Sequence, residues 1–164
     1  MYRIALPLAL LLVAGCACYE YDLIGPGSLA RHVGSAATWF HLDPVNYSLV
    51  SYDNRLVMTV ENPNDEPVQL LGNRCRIIDP MGGSHPVPDQ MIEPGKSIKM
   101  IFPPFPNQTQ GPMFVIRLDN TTRPAARPTY TFDWNDDLNV SMTLVYFYRD
   151  TVVEDHLVFH RRKM

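Results

Sequence analysis

The sequence predicts an all-β chain whose body is an antiparallel β-sandwich of about seven to nine strands. Apolar and polar residues alternate with a period of two over several stretches, as in "RLVMTVEN" from Arg55 to Asn62 and "LNVSMTLVYFY" from Leu138 to Tyr148. Fifteen prolines and nine glycines cut that alternation at short intervals, while eight tyrosines and seven phenylalanines suit pleated, half-buried surfaces. Beyond the first fifteen residues no segment carries a helical period of useful length.

In chain order, the first element is an export signal over residues 1–15. Arg3 supplies its positive charge and Ile4 to Ala14, "IALPLALLLVA", its apolar run, which falls short of the ~20 residues a helix needs to span a bilayer. Val13, Ala14, Gly15 and Cys16 resemble the bacterial lipobox. That resemblance implies a diacylglycerol thioether on Cys16, cleavage in front of it and acylation of the new amine. Several acyl chains on one residue make a durable anchor, because each buried methylene contributes about 0.8 kcal/mol. Ala17 is not Asp, which in Gram-negative sorting implies the outer membrane.

Residues 16–43 read as a lipidated tether or peripheral segment. Pro26 and Gly27 precede "SLARHV", where Ser28 is placed to cap one helical turn and Gly34 to end it. "ATWFHL" concentrates Trp39, Phe40 and Leu42 as a first strand or lid, and Asp43-Pro44 then breaks the chain. Residues 44–164 form the sandwich domain. Its strands are expected in "RLVMTVEN", "CRIID", "PVPDQMI", "SIKMIF", "MFVIRL", "TYTFDW" and the closing hairpin, "LNVSMTLVYFY" and "VVEDHLVFH", which turns near Arg149 and Asp150. Asp53-Asn54 and Pro94-Gly95 are further turns.

"MTVENPNDEPVQLLG" from Met58 to Gly72, followed by "IEPGKSIKMIF" from Ile92 to Phe102, is similar to immunoglobulin-like sandwich modules of envelope proteins. In those modules a strand ends in Asn-Pro and a Pro-Gly turn opens a later strand. The pattern also looks like the sandwich of water-stress and late-embryogenesis proteins. The wider run "RIIDPMGGSHPVPDQMIEPGKSIKMIFPP" resembles uncharacterised bacterial lipoproteins, a likeness that implies a place in the envelope and no activity.

Without residues 1–15 the chain holds 13 basic and 17 acidic residues, a net −4, and no basic run that would track nucleic acid. Candidate chemistry is sparse. Met81, His85 and Met91 in "MGGSHPVPDQM" are soft donors suited to copper, although methionines at these spacings also pack cores. His156 and His160 lie in a strand, about 13 Å apart, too far to share an ion. Ser84, His85 and Asp89 are triad residue types confined to one short hairpin. The pairs Asp65-Glu66, Asp136-Asp137 and Glu154-Asp155 fall at or beside turns, where carboxylates are solvated, and no nucleophile elbow or phosphate loop accompanies them. Cys75 reads as a small buried hydrophobe, with a Cys18–Cys75 disulfide as the alternative.

The expectation is therefore a non-catalytic lipoprotein of the bacterial cell envelope, anchored by Cys16, facing the periplasm. Its partners are the membrane and an unidentified envelope protein met through "FPPFP" (102–106) or the loops at the sandwich ends. No cofactor, nucleic acid or small-molecule ligand is expected. A periplasmic copper-binding module and a hydrolase with an unrecognised site are the alternatives.

Overall fold

The computed structural model describes residues 19–80, 82–102 and 138–164. They form two antiparallel sheets packed face to face, a β-sandwich, with two single 3₁₀ turns (Gly27–Leu29 and Gly72–Arg74) and no α-helix among the described residues. The strands are β1 (Tyr19–Gly25), β2 (Arg31–Val33), β3 (Thr38–Leu42), β4 (Val45–Tyr52), β5 (Arg55–Glu61), β6 (Val68–Leu70), β7 (Arg76–Ile78), β8 (Ser84–His85), β9 (Gln90–Ile92), β10 (Ser97–Phe102), β11 (Leu138–Tyr148) and β12 (Thr151–Lys163). The larger sheet runs β2-β1-β12-β11-β6-β9, with β7 also paired to β11 and β8 to β7. The smaller runs β10-β5-β4-β3. Seven of these strands (β1, β3, β4, β5, β10, β11 and β12) are five residues or longer; the others are two- or three-residue segments that local alternation does not register.

Strand alternation sorts the side chains as the sequence predicts. Leu56, Met58 and Val60 of β5 are fully buried, whereas Val57, Thr59 and Glu61 face outward and are partly exposed. Val140, Met142, Leu144 and Tyr146 of β11 and Leu157 and Phe159 of β12 supply the other half of one continuous core. Each large apolar side chain so buried contributes about 1.5–3 kcal/mol. The β11–β12 hairpin turns at Arg149 and Asp150 (φ 47° and 60°), and β4–β5 turns at Asp53 and Asn54 (φ 50° and 61°), a left-handed pair in each case that matches the twist of the flanking strands.

From Tyr19 on, the segment expected as a tether or peripheral piece contributes strands to the sheets. β1 pairs with β12 from Tyr19↔Lys163 to Gly25↔Val158, and Tyr21, Leu23 and Val33 are buried. β3 adds to β4, where Phe40 stacks on Tyr47 with ring centroids 4.9 Å apart. The boundary near residue 43 is the β3–β4 turn and separates no bodies, and Ser28 makes no side-chain cap, because the 3₁₀ turn is entered from Pro26. A local reading misses β1 because its partner lies at the other end of the chain.

The register defines two ends. At the near end lie Tyr19, the turn from Tyr52 to Arg55, Phe102, Leu138 and Arg161–Lys163. The Tyr19 amide donates to Asn54 Oδ1 at 2.7 Å and the Tyr21 hydroxyl to the Phe102 carbonyl at 3.4 Å, closing the two sheets there. The far end carries Asp43-Pro44, the loop after Glu61, the Pro94-Gly95 turn and the Arg149-Asp150 turn.

The two resembling motifs meet at this far end. Asn62 is fully buried; its side-chain amide donates to the Glu66 and Ile92 carbonyls at 2.8 Å each, and its Oδ1 accepts from the Asn64 amide at 2.9 Å. Its backbone pairs with Lys96 and Gly95, so the Asn-Pro strand end and the Pro-Gly turn, with Gly95 at φ 65°, hold each other.

Candidate functional site

Three polar arrangements stand out among the described residues. Deepest is an acid between tyrosines. Asp155 of β12 is 6% exposed, on the inward face that Leu157 and Phe159 continue. The Tyr47 hydroxyl donates to Asp155 Oδ2 at 2.5 Å and lies 2.9 Å from the Tyr146 hydroxyl. Burial raises the Asp155 carboxyl above its ordinary value, against the Tyr47 hydrogen bond that favours its charged form. Burial and the neighbouring phenol and carboxyl also hold Tyr47 well above the usual phenol range. The cluster joins the two sheets, since Tyr47 comes from β4 and its partners from β11 and β12. It corrects the expectation that Glu154-Asp155 sits solvated beside a turn: the pair is inside a strand, Glu154 out and Asp155 in. The signal was legible, because "DHLVF" already alternates.

The second arrangement is the hairpin clasp from Asp79 to His85. The Asp79 carboxylate accepts from the Gly83 amide at 2.7 Å and lies 2.8 Å from His85 Nε2, with Asp79 8% exposed. His85 is therefore engaged by Asp79, not by Asp89, which accepts from the Asn73 amide at 3.3 Å, so Ser84, His85 and Asp89 do not assemble as a triad. Met91 stands exposed on β9, and Met81 lies outside the described residues. His85 and Met91 sit on different strands, β8 paired to β7 and β9 to β6, and no group of three His, Cys, Asp or Glu among the described residues is placed to hold a metal. His156 and His160 each face a different β11 residue, Thr143 at 3.2 Å and Asn139 at 2.9 Å, as their spacing along a strand requires.

The third arrangement is the near end. Arg161 is buried, its guanidinium 3.7 Å from the centroid of the Tyr19 ring. Burial pushes the Tyr21 phenol up to about 12 despite the Arg161 and Arg55 charges. His32 of β2 lies between Glu20 (2.9 Å) and Asp22 (2.7 Å) of β1, and Arg162 reaches Asp22 at 3.8 Å. Exposed Tyr52, Arg162, Lys163 and Met164 surround this cluster.

Cys75 has a free thiol and is 7% exposed. It is held by the Leu71 carbonyl at 3.3 Å and by the Val145 amide at 3.2 Å. Val145 lies seven residues along β11 from Leu138 at the near end, about 23 Å of strand, which places Cys75 far from where the chain follows Cys18 into the sheet. Phe102, the first residue of "FPPFP", is 2% exposed and packs in the core; residues 103–106 lie outside the described residues, as do Cys16, Cys18 and Asp136-Asp137.

One surface feature escaped the sequence reading. On the outer face of the larger sheet, Val152, Phe147, Gln69 and Met91 stand in cross-strand register, and the three apolar members are 44%, 38% and 45% exposed. The row exists because four strands from three parts of the chain align, so no local window contains it. Comparisons with protein-family models, curated proteins and solved structures give no match to this chain.

Proposed function

We propose that the chain is a bacterial lipoprotein of the cell envelope, anchored through Cys16, whose sandwich acts without catalysis as an interaction or assembly module facing the periplasm. The observation that carries this reading is Val-Ala-Gly-Cys at residues 13–16, directly behind an apolar run with Arg3 at its head. Ala17 after the modified cysteine favours the outer membrane. An interaction role is supported by the Val152–Phe147–Met91 row, because exposed apolar side chains gathered in register suit a protein partner. The histidine and carboxylates beneath the surface are engaged in structural contacts: Asp155 ties the sheets and Asp79 holds its own hairpin.

Intact-mass measurement with palmitate labelling of the membrane fraction tests the anchor. The mature species is expected to start at an acylated Cys16, and Cys16→Ala to abolish both label and membrane retention. An unlabelled soluble chain cut at Ala17 or Cys18 would sink the reading.

A further inference from the structure

We infer that the near end of the sandwich rests on the lipid surface, with Tyr52 in the headgroup layer and Arg162 and Lys163 against anionic headgroups. The inference rests on Cys16 being the acylated residue, and it adds an orientation and a lipid-contact surface to that reading. Cys16 precedes Tyr19 by three residues, and a chain extends at most ~3.6 Å per residue, so the anchor lies within about 11 Å of the first residue of β1. Tyr19 is fixed in the sheet, opposite Lys163 and hydrogen-bonded to Asn54 across the sandwich. The tether is therefore too short to lift the body away from the membrane, and the part of the body that meets the lipid is the near end.

The chemistry of that end fits the contact. Tyr52 is 71% exposed at the tip of the β4–β5 turn, and tyrosine is enriched at the depth of lipid headgroups because its ring is apolar and its hydroxyl wet. Among the described residues, Arg55, Arg161, Arg162 and Lys163 lie at this end against Glu20, Asp22 and Asp53, and two of those three carboxylates face His32 or Arg162. The described residues of the far end have the opposite balance, with Asp43, Glu61, Asp65, Glu66, Glu93 and Asp150 against Lys96 and Arg149. An anionic leaflet attracts the first end and repels the second. It also leaves the far-end loops and the Val152–Phe147–Met91 row turned away from the anchoring leaflet.

Bromolipid quenching of a single tryptophan reads this orientation. The acylated mature protein carrying Trp39→Phe and Trp134→Phe, with either Tyr52→Trp or Glu66→Trp, is reconstituted in phosphatidylcholine vesicles containing a minority of phosphatidylglycerol, with and without brominated acyl chains. Tryptophan at position 52 is expected to shift to shorter wavelength and to lose at least about half its emission, while position 66 stays unquenched. Equal quenching at both positions, or none at 52, in protein that floats with the vesicles overturns the orientation and leaves the anchor standing. Protein that fails to float, with Cys16 unmodified by mass, overturns the anchor and the orientation with it. Arg162→Glu with Lys163→Glu is expected to weaken apposition on the anionic vesicles by roughly fivefold per charge and to have no such effect on pure phosphatidylcholine. Unchanged quenching in the charge-reversed protein, with its circular dichroism intact, overturns the headgroup pairing.

Discussion

Asp155 and Arg161 lie on the same inward face of β12, six residues apart, and the sandwich accommodates them in opposite ways. Asp155 is enclosed between the sheets, where burial raises its carboxyl and the Tyr47 hydroxyl, itself paired with that of Tyr146, stands in for water. Arg161 lies near the rim, where its guanidinium covers the Tyr19 ring. A carboxyl can answer desolvation by taking a proton, whereas a guanidinium keeps its charge at every accessible pH and is better placed at an edge, over an aromatic face. Side-chain chemistry thus decides which buried ionisable group is a pH-responsive tie and which a permanent cation, and position along the strand decides what each one meets.

The largest effect on that contrast is expected from Tyr47→Phe, which removes the hydroxyl donor to Asp155 and leaves a buried carboxyl without it. Urea denaturation should show a loss of about 2–3 kcal/mol at neutral pH, shrinking as pH falls and Asp155 takes up a proton. A pH-independent loss would show that the hydroxyl acts only through packing and Tyr146. A smaller effect, about 1 kcal/mol, is expected from Arg161→Lys, which keeps the charge but gives up the planar stack on Tyr19. Thermal unfolding measures it, and an unchanged midpoint would reduce the near-end cation to a passive charge.

Asp155→Asn is expected to change stability least at neutral pH, by under about 1 kcal/mol, since an amide oxygen can still accept from Tyr47. Its signature is in the pH dependence. Because burial raises the carboxyl above its ordinary value, the folded state binds the proton more tightly than the unfolded state does. This group therefore costs stability as pH rises from the unfolded value through the folded one, and the cost is fully present above both. The variant should lack that decrement; an unchanged pH profile would place the titration elsewhere.

The interior of the sandwich was largely readable from local pattern. Alternation put Leu56, Met58 and Val60 together and Val140, Met142, Leu144, Tyr146 and Tyr148 inside, and Asp53-Asn54, Pro94-Gly95 and Arg149-Asp150 fell at turns. Asp155 was equally readable, since it sits two residues before Leu157 on the same face of "VVEDHLVFH", although the nearby Arg149-Asp150 turn made the acidic pair read as solvated. The first strand was not readable: "YEYDLIG" has a strand's composition and gives no hint that its partner is "VFHRRK". Phe102, at the end of the expected strand "SIKMIF", completes the core.

Residue identity and spacing determined which side chains turn inward and where the chain reverses, because side-chain alternation and turn geometry are properties of neighbouring residues. Which strands lie side by side was decided only in three dimensions. The meeting of Tyr47, Tyr146 and Asp155, the alignment of Val152, Phe147 and Met91, and the gathering of Tyr19, Tyr52 and Arg162 at one end all follow from pairings between distant segments. The physical reason is that period-two stereochemistry selects a face and leaves the partner open. The partner is selected when the apolar faces of both sheets must be buried at once and every buried backbone group must find its hydrogen bond.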